Sequence, residues 1–132
     1  MSEPKFLSVS FVEELHHESI AQFGGTLGLR DRASLEAAVG QPLNTFYYGR
    51  GDIFDIAAAY AFHIAQAQAF LDGNKRTAVA AAFAFLEENG TNTRTFSNLR
   101  VYEAMIAIAE KRMTKSALAQ LLRDEAKSAT GE

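Results

Sequence analysis

Residues 66–90 read QAQAFLDGNKRTAVAAAFAFLEENG: two alanine-rich runs separated by Asp72-Gly73-Asn74-Lys75-Arg76. The first run extends back through IFDIAAAYAFHI, and alanine is the best helix former because it has no side-chain entropy to lose. Asp52 stands where an N-cap belongs, so a helix is expected from Ile53 to about Ala67. The second run ends at Asn89-Gly90, the stop expected of a helix that begins near Asn74. Small residues let two helix axes approach closely, while Phe62, Phe70, Phe83 and Phe85 supply the bulk. A turn carried between two such helices is rigid, as a binding or catalytic site requires.

Working outward, the chain reads as helices and little else. SFVEELHHESIAQFGG places Ser10 and Glu13 at capping-box spacing and Gly24-Gly25 at the stop. DRASLEAAVGQP is expected to form a shorter helix, capped by Asp31 and ended by Gly40 and Pro42. LNTFYYGRG lacks a helical period and is expected to be a short extended flap. Ser97 caps a helix to about Arg112, and Thr114 a last one whose cations suggest docking of an acidic partner segment. The fold class is all-α: one compact domain over 1–132, about six helices, a core of about 7–125 and a frayed tail at 126–132.

Composition narrows the function. At 132 residues, 48% hydrophobic and 22% charged, the chain has the makeup of one soluble globular domain. A net charge of −3 argues against a general nucleic-acid or membrane-surface binder. The absence of cysteine excludes disulfides and thiol nucleophiles. MSEPKFLSVSF lacks a basic region followed by an apolar run, so no signal peptide is expected and a cytoplasmic location is.

The turn has its own chemistry. The first amides of the helix after Gly73 have no intrahelical acceptor, and the helix dipole adds positive potential there, which suits a phosphate. Lys75 and Arg76 bring full charge, and Asn74 offers an amide donor. Asp72 would repel a phosphate unless a divalent cation stands between them, and magnesium is commonly held by one carboxylate plus substrate phosphates. A plainer reading stays open beside this one: Asp-Gly is a common turn, and a Lys-Arg pair in a first turn can simply face water.

AFLDGNKRTA after an alanine-rich helix, with FGGTLGLRD upstream, resembles the Fic/Doc superfamily, specifically its death-on-curing branch. The resemblance runs from about residue 7 to 125. The motif, His-x-Phe-x-Asp-Gly-Asn-Lys-Arg, is matched at Phe70, Asp72, Gly73, Asn74, Lys75 and Arg76. It implies a Fic-type helical bundle that binds ATP with Mg2+ at this turn. Other branches carry Gly at the Lys75 position and a second arginine at the Val79 position, and they transfer AMP to protein hydroxyls. Lys75 and Val79 side with the phosphoryl-transferring branch. The implied partners are an antitoxin protein, partly disordered, and a protein substrate of the elongation factor Tu class.

By the same resemblance Asp72 holds the metal, Gly73 and Asn74 line the anion-binding turn, and Lys75 and Arg76 neutralise phosphate oxygens. Phe70 anchors the loop, and NTFYYGRG aligns the target segment. The departure is Gln68, which stands where the motif has the histidine that takes the hydroxyl proton. An amide neither accepts nor releases a proton near neutral pH. The expected enzyme is therefore impaired; an inactive nucleotide- or partner-binding regulatory protein is the alternative, and a protein AMP-transferase the second alternative. His63 lies about 140° around the helix from Gln68 and is expected to be a partly buried polar residue. His16-His17-Glu18 is expected to be solvated helix surface, and Arg30-Asp31 a helix cap.

Overall fold

The structure, a computed structural model, describes residues 3–130. Six helices follow one another: α1 (Val9–Phe23), α2 (Arg32–Tyr47), α3 (Ile53–Ala67), α4 (Asn74–Glu88), α5 (Asn98–Ala109) and α6 (Lys115–Thr130). No strand is present among the described residues; the one isolated bridge pairs Leu29 with Phe70. No helix among them is long and apolar enough to cross a membrane.

Helix α3 is the axis of the bundle, packed against α2, α4 and α6, because six of its first nine residues are wholly or almost wholly buried. Asp52 caps it by accepting from the amides of Phe54 and Asp55, and the Asp55 carboxylate returns the bond to the Asp52 amide. Alanines 57, 58, 59 and 61 are buried on α3, as are Ala78, Ala81 and Ala82 on α4, and the two helices pack on each other. Tyr60 and Phe85, with ring centroids 5.3 Å apart, fill the seam. The Tyr60 hydroxyl accepts from the Leu7 amide at 2.9 Å, which ties the N-terminal segment to the core.

Several expectations are corrected. Helix α1 is capped by Ser8, whose hydroxyl accepts from the Phe11 amide, rather than by Ser10. Helix α2 does not stop at Gly40 and Pro42; it passes through Pro42 to Tyr47. A proline inside a helix forfeits one hydrogen bond. Here Phe46 and Tyr47 pack on Phe6, at centroid distances of 6.0 and 6.3 Å, and hold the last turns in place. The expected extended flap is therefore mostly helix. Helix α5 ends at Ala109 instead of near Arg112.

Of the tail expected to fray, residues 126–130 are helical and continue α6; residues 131 and 132 lie outside the described residues. Glu125, 8% exposed in its side chain, accepts from the Ser97 amide at 2.6 Å and pairs with Arg100 at 2.9 Å, locking α6 to the start of α5. Around the last helix, Arg112 just before it pairs with Glu110, Lys115 meets His63, and Arg123 grips Asp52 and Asp55.

Candidate active site

The segment joining α3 to α4, residues 68–73, is held from three sides. Along its length it pairs with the α1–α2 connection: the amides of Arg30 and Asp31 both donate to the Ala69 carbonyl, at 2.6 and 3.0 Å, and the Leu71 amide donates to the Gly28 carbonyl at 3.0 Å. From α4, Asn74 reaches back to Phe70, accepting from its amide at 3.1 Å and donating to its carbonyl at 3.0 Å. From α1, His16 Nε2 donates to the Asp72 carbonyl at 2.7 Å, and its ring stacks on Phe70 with centroids 3.8 Å apart.

A cavity of about 460 Å³ opens over this segment, bordered by Arg30, Gln68, Asp72, Gly73, Asn74, Lys75, Arg76 and Tyr102. The N-cap of α4 is Gly73, which has no side chain to offer, so no side chain caps the amides of the first turn. Gly73 adopts φ 76, a left-handed conformation that glycine tolerates at no steric cost. Three cations surround this helix tip. Arg76 is anchored by donating to the Gly24 carbonyl at 3.0 Å, with its guanidinium 5.5 Å from the Phe23 ring centroid. Lys75 is exposed on the cavity wall, and Arg30 enters from the α1–α2 connection.

Asp72 is the carboxylate of the cavity. Its Oδ1 accepts from the Gly73 amide at 2.9 Å and its Oδ2 from the Thr26 amide at 3.2 Å, which orients the group and leaves lone pairs on both oxygens. Among the described residues no three His, Asp or Glu side chains gather as a metal cage. A single carboxylate with free lone pairs could hold a hard cation that takes its other oxygens from phosphate and water.

Gln68 is the C-cap of α3, with φ 47 and ψ 43. A non-glycine residue in this region carries about 1 kcal/mol of strain, and such strain collects at functional sites. It leaves Gln68 exposed at the junction of two cavities: the one just described, and a smaller one of about 250 Å³ bordered by Lys75, Met105 and Ile108.

The expected site residues are thus brought together, with differences in detail. Gln68, Asp72, Gly73, Asn74, Lys75 and Arg76 border one cavity. Phe70 does not; at 2% exposure it is the loop's anchor. The Asn74 side chain does not offer its amide outward, because both of its polar atoms bind Phe70. His63 is half-buried, as expected, and faces Lys115 at 3.1 Å rather than the cavity. Burial, and then the Lys115 charge, push its pKa down to about 4. The segment expected to align a target is displaced: Tyr47 and Tyr48 sit at the opposite end of α3, which spans about 22 Å. Arg30 and Tyr102 were not expected at the site. The Arg30-Asp31 pair reads locally as a cap, and nothing near Tyr102 in sequence marks it. Burial raises the Tyr102 pKa, opposed by the charge of Arg76. Tyr102 and Arg76 also border an apolar neighbouring cavity of about 500 Å³ between α1, α4 and α5.

The sequence comparisons bear on this geometry. The Fic/DOC family model matches residues 6–86, from the N-terminal segment into α4, and so includes the whole braced segment and its cavity turn. The chain belongs to the Fic/DOC family. Within the family it lies with the Doc proteins. It is 31% identical over 110 residues to a protein named "Protein kinase doc" of Escherichia phage P1, covering 83% of this chain and 86% of that one. It is 49% identical over 72 residues to "Toxin Doc" of Mycolicibacterium smegmatis, covering 52% of this chain and 54% of that one. The all-α architecture agrees with this Fic/DOC membership.

Proposed function

We propose that this Fic/DOC chain is a Doc-like toxin that transfers the terminal phosphoryl group of ATP to a hydroxyl of a protein substrate, of the elongation factor Tu class, and is restrained by a partly disordered antitoxin. The observation that carries the reading is the uncapped tip of α4, facing a cavity bordered by Arg30, Lys75, Arg76 and Asp72. Two relatives named as a Doc kinase and a Doc toxin support it.

In this reading the triphosphate lies on the α4 amides, and the three cations spread over its oxygens. Asp72 would hold Mg2+, which supplies charge neutralisation between the carboxylate and the phosphates. The bond between the terminal phosphorus and its bridging oxygen breaks, a bond to the substrate oxygen forms, and ADP leaves. Such transfers have a loose transition state, so positioning and charge neutralisation carry most of the catalysis. Gln68 orients the substrate hydroxyl by accepting its hydrogen bond but does not take the proton, which passes to solvent. A positioned base is typically worth about 10²–10⁴ in rate, so the wild-type chain is slow.

The second reading, a nucleotide- or partner-binding regulatory protein without chemistry, is favoured by that same Gln68. Transfer of labelled phosphate from ATP to a bacterial elongation factor separates the two. The Gln68→His variant should exceed wild type by at least about tenfold. Equal, null transfer by both chains, with nucleotide binding retained, supports the regulatory protein instead. Capture of a protein partner that persists with magnesium chelated and with Asp72→Ala also favours it.

A further inference from the structure

His16 belongs to a histidine pair whose sequence context suggests open helix surface, yet it is 2% exposed and lies beneath the cavity turn. Its Nε2 is 2.7 Å from the Asp72 carbonyl oxygen, its ring is parallel to that of Phe70 within 9°, and its Cδ2 would lie 3.7 Å from a Cβ at Gly73. A carbonyl only accepts, so this geometry puts the proton on Nε2.

We propose that His16 is a positioning residue for the nucleotide turn: its Nε2–H holds the Asp72–Gly73 peptide in the one orientation that presents the α4 tip and the Asp72 carboxylate to the cavity. The inference rests on the nucleotide-binding reading for its consequence, though not for its geometry. A trans peptide is planar, with carbonyl and amide pointing to opposite sides. Fixing the Asp72 oxygen toward α1 therefore aims the Gly73 N–H the other way, where Asp72 Oδ1 accepts it at 2.9 Å. Glycine populates both signs of φ, so without a lock this peptide is free to turn over. A flipped peptide would aim its carbonyl oxygen at the triphosphate. The remaining long-range anchors do not hold this peptide, since Asn74 and the α1–α2 connection hold residues 69–71, and apart from the peptide's own Gly73 amide the Asp72 side chain is bonded by the Thr26 amide alone among the described residues. His16 holds the last peptide before the helix.

Two variants divide its ring from its donor. His16→Phe keeps an aromatic ring on Phe70 and removes the N–H; His16→Gln restores a donor at similar reach and gives up the stack. Calorimetric titration of ATP with magnesium, paired with amide NMR of the free proteins, provides two readouts. His16→Phe should bind about tenfold more weakly, the worth of one buried hydrogen bond, with Gly73 and Asn74 amide signals shifted or broadened. His16→Gln should recover most of the affinity and the wild-type signals. Unchanged affinity and unchanged signals in His16→Phe overturn the proposal, as does an equal loss in both variants, which would mark a packing role.

Should wild type bind no nucleotide, the functional reading falls, and the amide signals alone decide whether His16 sets the peptide. Should His16→Phe not fold, nitrogen chemical shifts of wild-type His16 decide instead. A protonated Nε2 is expected, and a bare Nε2 overturns the assignment.

Discussion

Asn74 binds the backbone of Phe70 with both polar atoms of its side chain, accepting from the amide at 3.1 Å and donating to the carbonyl at 3.0 Å. The amide thus closes the loop between α3 and α4 into a ring, so the first residue of α4 fixes the buried anchor of the segment before it. Asn74→Ala should destabilise the fold by about 1–3 kcal/mol, because partly buried backbone groups lose their partners. Asn74→Asp, which keeps an acceptor but turns a carboxylate oxygen on the Phe70 carbonyl, should cost at least as much. Urea denaturation of both variants checks the order.

Gly24 and Gly25 provide a matched pair. Both have positive φ, 85° and 114°, so alanine at either site pays about 1–2 kcal/mol of backbone strain. A Cβ at Gly24 meets nothing within 4 Å, whereas at Gly25 it falls 2.7 Å from Asp72 Oδ2. Gly25→Ala should therefore weaken magnesium-dependent ATP binding about tenfold or more, as displacement of the carboxylate requires. Gly24→Ala should lower stability with little change in binding. Affinities measured on the two variants side by side settle the matter; equal affinities would show that the Asp72 position is unimportant.

His63 makes folding sensitive to acid. Its pKa falls from 6.5 to about 4 on folding, chiefly through burial and then through Lys115. Between those values the unfolded chain binds the proton and the folded chain does not, so stability rises with pH across that window. The contribution is full above pH 6.5 and is lost as pH drops toward 4. His63→Phe should flatten this part of the profile relative to wild type. Differences in urea midpoint at pH 7 and pH 5 report it, with the carboxylate contributions common to both chains cancelling.

How much of this was legible in the sequence depended on how far each partner lay along the chain. As caps, Asp52, Ser97 and Asn89 act within a few residues, so the bounds of α3 and α4 and the start of α5 follow from capping rules alone. The cavity turn was legible for the same reason, since its charges and its glycine are contiguous. His16 was not: its partners are Phe70 and Asp72, the latter 56 residues away. Arg30 reaches the cavity only because its amide and that of Asp31 bind Ala69. Pro42 and the residues after it read as a break because the compensating contacts, Phe46 and Tyr47 against Phe6, are tertiary.

The last helix offers a direct check of such long-range ties. Glu125 serves the Ser97 amide and Arg100 at once, and it is buried while Arg100 is 61% exposed. Glu125→Ala should destabilise the chain by about 1.5–3 kcal/mol, the range for a hydrogen-bonded charged group. Arg100→Ala should cost less, since an exposed cation loses little to solvent. Thermal denaturation of the two variants should rank them in that order.

The proposed transfer requires triphosphate gripped between the α4 tip and a metal-bearing Asp72. Calorimetric titration of ATP into wild type and Asp72→Asn, each with magnesium and with the cation chelated, tests this most directly. Wild type should bind with magnesium and lose at least about tenfold in affinity on chelation, and Asp72→Asn should bind weakly in both conditions. Absence of binding to wild type, or affinity indifferent to both the cation and the carboxylate, would contradict it.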